Sequence, residues 1–232
     1  MSSLKLNFFN RLPNEITINI LGRVASQQPF DLFCCKLSCK ILKTLSDDDS
    51  VMKKVVIETI IDRIWMVNSN AKIFFGRCLE CKNPDALTRY GLVQIYTHNN
   101  YNNGLCSLIE ATKVGHAMSS YLLGLIWLSS KSGDDIENGH YILTTLLKQL
   151  TMESIIKCRE IFKRMLKTIW IRNRSKMSDK PPLVCKTNEN QHMKGKMWDI
   201  EDVYYVPNGY DTLDCYNCKC DREVRFFYSV MK

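Results

Sequence analysis

Apolar positions recur at helical spacing from the start of the chain almost to residue 172. Ile16, Ile20, Leu21 and Val24 share one face, and Pro13 stands just ahead of them, where a proline suits a helix's first turn. After a break at Gln27-Gln28-Pro29, Asp31 is placed to cap a second helix carrying Leu32, Leu37, Ile41, Leu42 and Leu45. The run Ser46 to Ser50 reads as a turn, and its acids suit the start of a further helix through Val51, Val55 and Val56. Residues 57–68 form a junction. Ile60, Ile61, Ile64 and Trp65 are too apolar for a solvated linker, so the junction is expected to be packed. From Ser69 onward the pattern predicts short helices over 71–82, 85–96, 105–114, 117–129, 136–150 and 154–171. Asn83-Pro84, the polar run 98–104, Gly115 and Lys131-Ser132-Gly133 separate them. The tail from 177 loses this period. It holds Pro181-Pro182, the last four cysteines, and two stretches with strand propensity, 203–206 and 224–228.

The fold class expected is all-α, with a small irregular tail. The chain has 232 residues, 45% of them hydrophobic, which suffices for one large or two small cores. A charged fraction of 24% is ordinary for a globular protein. The longest apolar run, 121–128, is far below the ~20 residues of a membrane crossing. The first fifteen residues do not read as a secretory signal, so cytoplasm or nucleus is expected. In such a compartment the 11 cysteines are expected as thiols or metal ligands. Cys34, Cys35, Cys39, Cys78, Cys106 and Cys158 fall within apolar helical patterns and read as small buried hydrophobes.

Several spaced features over residues 10–56 agree with one family. Leu12-Pro13-x-Glu15-Ile16, then Ile20-Leu21 and Val24, then Asp31-Leu32, then Leu37-Ser38-Cys39-Lys40 and Leu42 together resemble the F-box. The resemblance implies a three-helix unit whose apolar face packs onto the Skp-type adaptor of a cullin ubiquitin ligase. Carried over residue by residue, it implies adaptor contact for Leu12, Pro13, Ile16, Ile20, Leu21, Leu37 and Lys40. Leu42 stands where the family often has tryptophan.

Residues 69–172 contain two related stretches. Ala86-x3-Tyr90-Gly91-Leu92, with Gly104-Leu105, Ala111 and Gly115-His116 after it, is echoed by Tyr121-x-Leu123-Gly124-Leu125 with Gly139 and Leu143. The separation of Gly91 from Gly124 falls near the ~34-residue period of tetratricopeptide repeats, and the pattern resembles their Sel-like branch. Glycine lets the two helices of a hairpin approach closely, and hairpins must stack to cover their apolar faces. Such a stack presents a groove suited to a protein partner. Arg77-Cys78-x2-Cys81-x-Asn83-Pro84-x-Ala86-Leu87 and the ending Cys215-x2-Cys218-x-Cys220-Asp221-Arg222-Glu223-Val224 resemble a group of plant F-box proteins with cysteine-containing tails. That resemblance implies a substrate receptor within a ligase and leaves the target open.

Cys215-x2-Cys218 is a spacing that zinc uses, with Cys220 close by. Cys185 and His192 are candidate partners, and a tetrahedral structural site from Cys185, His192, Cys215 and Cys218 would staple residues 177–232. Cys220 could replace either late cysteine. The alternative is a loose tail carrying thiols.

The net charge of +8 concentrates in part between Lys157 and Lys176. There an amphipathic helix is expected to bury Ile155, Phe162, Leu166, Ile169 and Trp170 and to turn a basic face outward. A solvated face closing the repeat stack explains this. The rival function is a zinc-stabilised nucleic-acid-binding protein using helix 154–176, with binding steeply dependent on salt. A plain helical scaffold is the third reading. Enzymatic readings find no support: the four histidines are scattered, and phosphate loops, nucleophile elbows and H-E-x-x-H are absent.

Overall fold

The computed structural model describes residues 12–57, 69–172, 177, 180–185 and 215–231. Among the described residues regular structure is helical throughout, with one isolated antiparallel bridge between Ser130 and Met177. The helices are α1 (Asn14–Gln27), α2 (Pro29–Ser38), α3 (Lys40–Leu45), α4 (Asp49–Met52), α5 (Ser69–Glu80), α6 (Pro84–Tyr96), α7 (Tyr101–Lys113), α8 (Ala117–Leu128), α9 (Gly133–Gln149), α10 (Met152–Thr168) and α11 (Tyr216–Met231). No helix among these residues is long and apolar enough to cross a membrane. The chain forms two compact units, residues 1–89 and 90–232.

In the first unit α1 packs against α2, α3 and α4. The second expected helix is divided in two, because Cys39 adopts an extended backbone between α2 and α3. Helix α2 also starts before Asp31. Pro29 occupies its first turn, and Asp31 lies within that turn as a favourable negative charge rather than as the cap. Asp48 does cap α4, its carboxylate accepting from the Ser50 amide at 2.9 Å. Helix α4 then stops after one turn instead of running through Val56, whose amide donates to the Ala25 carbonyl at 3.2 Å. Leu21, Ala25, Leu32, Leu42, Val51, Met52, Val55 and Ile57 are buried in this unit.

One polar residue ties the end of that segment to the helices that follow. Asn83 is fully buried, and its side-chain amide donates to the carbonyls of Met52 at 2.9 Å, Lys53 at 3.2 Å and Val55 at 2.8 Å. Its side-chain oxygen accepts from the Ala86 amide at 3.1 Å and so serves the first turn of α6. Asp85 in the same turn accepts from the Ile57 amide at 3.0 Å. Phe33 of α2 meets Phe74 of α5 edge to face at 5.4 Å, and Asp49 pairs with Arg77. What reads in sequence as a helix stop, Asn83-Pro84, is thus also a clasp within the first unit.

The second unit is built around α8. This helix is apolar on every side, which suits a fully surrounded position. Met118, Tyr121, Leu122, Leu123, Leu125, Ile126 and Leu128 are all buried, and α7, α9, α10 and α11 pack around them. His116 caps α8, with Nδ1 2.7 Å from the Ser119 hydroxyl. Gly115, at φ +78°, ends α7 just before it. The two paired glycines of the sequence pattern meet. A Cβ at Gly104 would lie 2.6 Å from the Gly91 carbonyl oxygen, and one at Gly139 would lie 2.9 Å from that of Gly124. The same device therefore closes both the α6–α7 and the α8–α9 contacts.

Helix α11 departs most from the sequence reading. The strand expected at 224–228 is helical, and the end of the supposedly irregular tail is a core element. Cys220, Val224, Phe227 and Met231 fall on one face at helical spacing and are buried, with Glu223 and Phe226 beside them. Phe227 stacks on Phe162 of α10 at 5.4 Å. Strand propensity in Val-Arg-Phe-Phe-Tyr gives way to this tertiary packing. The strand expected at 203–206 lies outside the described residues.

Candidate functional site

Helices α1 and α2 leave large apolar side chains open. On α1, Ile16 and Ile20 are 47% and 46% exposed, with exposed Pro13 one turn before them. Phe30, Cys34 and Leu37 form a second line along α2, at positions i, i+4 and i+7, with Phe30 72% and Leu37 87% exposed. Leu12 is half-buried and Lys40 exposed. Leu21 is a correction to the docking set. At 2% exposure it belongs to the inward stripe with Thr17 and Ala25. Adjacent residues of one helix lie about 100° apart, so Ile20 and Leu21 cannot both face outward. Phe30 and Cys34, which the family positions do not include, share the exposed line of α2 with Leu37. The helical period counted from Leu37 would have found them.

The cysteines divide by environment. Cys78 and Cys158 are buried as expected, whereas Cys34 and Cys106 are exposed and Cys35 and Cys39 are half-buried. Burial pushes the Cys78 thiol up to about 12, with nearby Cys81 contributing. In the second unit Cys185, Cys215 and Cys218 bring their Sγ atoms within 4.8 Å of one another. Cys215 immediately precedes α11, and its carbonyl accepts from the Lys219 amide at 3.1 Å; Cys218 sits in the first turn. Cys185 lies in segment 180–185, which has no regular secondary structure. That segment is held to α11 by Asp221, whose carboxylate accepts from the amides of Val184 at 2.6 Å and Cys185 at 3.1 Å. Cys220 is not in the cluster. It faces the core at 0% exposure, 3.5 Å from the Thr144 hydroxyl, and burial raises its thiol to about 12. Two residues from Cys218 along a helix, it points some 200° away, which is why both cannot turn toward Cys185. His192 lies outside the described residues.

Helix α10 is less basic at its surface than its sequence. Arg159, expected on the outer face, is 5% exposed and bound to Glu223 of α11. Its Nη2 donates to Oε1 at 2.5 Å and its Nε to Oε2 at 2.9 Å. The Tyr121 hydroxyl donates to the same carboxylate at 2.7 Å. Burial first, then the Glu223 charge, hold that phenol well above its ordinary range. Lys163 lies over the Phe226 ring at 5.6 Å. Trp170, expected in the core, is 72% exposed, because α10 ends at Thr168 and the chain leaves the helical face there.

Comparison with known proteins agrees with the two kinds of helical structure. The F-box-like family model matches residues 9–58, and the model for plant tetratrico peptide repeats matches residues 57–167. A putative F-box protein of Arabidopsis thaliana is 26% identical over 162 residues, covering 68% of this chain and 54% of the relative. Two other F-box proteins of that plant are 24% and 25% identical over 129 residues, covering 55% of this chain and 34% and 38% of their own lengths. The chain thus spans about half, or less, of the length of these relatives. No solved structure matches it. The chain therefore joins an F-box-like segment to a segment of plant tetratricopeptide-repeat type, and is similar over that span to F-box proteins of Arabidopsis thaliana.

Proposed function

We propose that the protein is a substrate-receptor subunit of a Skp–cullin–F-box ubiquitin ligase, working in the cytoplasm or nucleus. On this reading the apolar lines of α1 and α2 dock on the Skp-type adaptor, and through it on a cullin. The helical repeats hold a target protein, and the chain performs no chemistry itself. The observation that carries the reading is the exposure of Ile16, Ile20, Phe30 and Leu37 within the segment that the F-box-like model matches. Leaving a fully exposed side chain of this size in water forgoes roughly 1.5–3 kcal/mol of burial, and a half-exposed one about half of that, a cost that a partner's apolar surface removes. Protein interfaces place such residues at their centre.

Co-purification with a plant Skp adaptor tests the proposal. The wild-type chain is expected to retain the adaptor, and Ile16→Asp with Ile20→Asp to lose it while keeping its helix content. Failure of the wild type to bind the adaptor overturns the reading. The nucleic-acid alternative is weakened by the burial of Arg159 in its pair with Glu223. It would regain force if the wild type bound RNA or DNA with an affinity falling steeply with salt.

A further inference from the structure

The geometry points to a structural zinc site on Cys185, Cys215 and Cys218, a clamp that locks α11 onto the segment before it and that is independent of adaptor docking. The Sγ atoms of Cys185 and Cys215 are 3.9 Å apart. A disulfide would need about 2.05 Å. Thiolates on a tetrahedral zinc at Zn–S of about 2.3 Å stand about 3.8 Å from one another. The observed separation is too long for a disulfide and fits two ligands sharing one ion. The third sulfur completes the group within 4.8 Å. Cys185 and Cys218 are each 7% exposed, so the cluster is shielded, while half-buried Cys215 leaves a side for a fourth ligand.

The surroundings favour thiolates and hold them in place. Cys215 and Cys218 bracket the first turn of a sixteen-residue helix, whose positive end stabilises negative sulfur. Asp221 receives the amides of Val184 and Cys185 and so fixes Cys185, the ligand farthest in sequence from α11. Three soft anionic donors in a shielded site select zinc over magnesium or calcium, which take oxygen. Cys185 and Cys215 are 30 residues apart, and the ion would close that span. Helix α11 supplies Val224, Phe226, Phe227 and Met231 to the core of the second unit, so the clamp would secure a core element rather than a loose end.

The full-length chain, purified in zinc-containing buffer and passed through a desalting column, is expected to carry one zinc ion, measured by elemental analysis. Replacement by cobalt(II) is expected to give a thiolate-to-metal charge-transfer band in the near ultraviolet. Cys218→Ser should lower that band by about a third and release the metal readily. Cys220→Ser and Cys106→Ser should retain it. Should Cys218→Ser fail to fold, the wild-type stoichiometry and band still decide the matter. Less than about half an equivalent of zinc overturns the proposal. So does an intact mass short of two hydrogens from a Cys185–Cys215 disulfide, or loss of the ion from a folded Cys220→Ser chain.

Discussion

Helices α2 and α11 are both amphipathic, and they treat their aromatic and aliphatic residues oppositely. Helix α2 buries Leu32 but leaves Phe30 and Leu37 in water. Helix α11 buries Val224, Phe226, Phe227 and Met231 almost completely. The difference lies in what the chain supplies opposite each face. For α11 it supplies α8, α9 and α10, a stacked ring at Phe162, and for the Glu223 carboxylate a guanidinium at Arg159 and a hydroxyl at Tyr121. Apolar side chains of the size of Phe30 and Leu37 remain exposed at a free-energy cost, which on the proposed reading the adaptor's apolar surface removes. Deleting interactions on the two helices should therefore have opposite signatures, in stability for α11 and in association for α2.

The sharpest break on the buried side is Glu223→Gln. It leaves the Arg159 guanidinium inside the second unit without its counter-charge, and removing one partner of a buried pair costs roughly 3–5 kcal/mol. Urea denaturation followed by circular dichroism should show the midpoint collapse. Replacing all three polar partners together, Glu223→Leu with Arg159→Met and Tyr121→Phe, should recover most of that loss, because no buried charge is then unpaired. If the single and triple substitutions were equally damaging, the packing of α11 rather than its charge pair would be what holds the helix.

A smaller loss is expected from Gly139→Ala. The new methyl would sit 2.6 Å from the Leu128 amide nitrogen and 2.9 Å from the Gly124 carbonyl oxygen, so backbone must move, at a cost of about 1–3 kcal/mol. Gly133→Ala, where nothing lies within 4 Å of the added carbon, is the matched control. Thermal melts of the two variants separate a close-approach glycine from an ordinary one.

The paired glycines were legible in the sequence because a repeat shows itself twice, and the second copy confirms the spacing of the first. The helices from Ser69 to Thr168 were legible because each carries its own period and its own stop. Helix α11 was not legible as a core element. Its face includes Cys220 and Glu223, which count as polar in a pattern, and Glu223 is buried only because Arg159 and Tyr121 reach it from elements 64 and 102 residues away. The same reason hid the burial of Arg159. For the thiols, spacing alone left Cys218 and Cys220 interchangeable. The 100° turn per residue of a helix separates them, and that argument needs the helix first. Of the family positions on α1 and α2, Ile16, Ile20 and Leu37 are exposed. Leu21 was misassigned because adjacency in sequence was allowed to stand for adjacency on a surface.

The smallest effect on stability, and the largest on association, is expected from Leu37→Ser. With 87% of its surface already in water, this side chain loses little burial when shortened, and exposed substitutions of this kind stay within about 0.5 kcal/mol. Its melting temperature should match the wild type. Adaptor affinity should fall at least tenfold, since a difference of about 1.4 kcal/mol suffices for that and a central apolar anchor commonly contributes more. Leu32→Ser, five residues earlier on the same helix and fully buried, should do the reverse and lower stability first. The pair is measured side by side by thermal denaturation and by calorimetric titration with the adaptor. An unchanged affinity for Leu37→Ser, in a protein that melts normally, would mean that the open line of α2 faces something other than the adaptor.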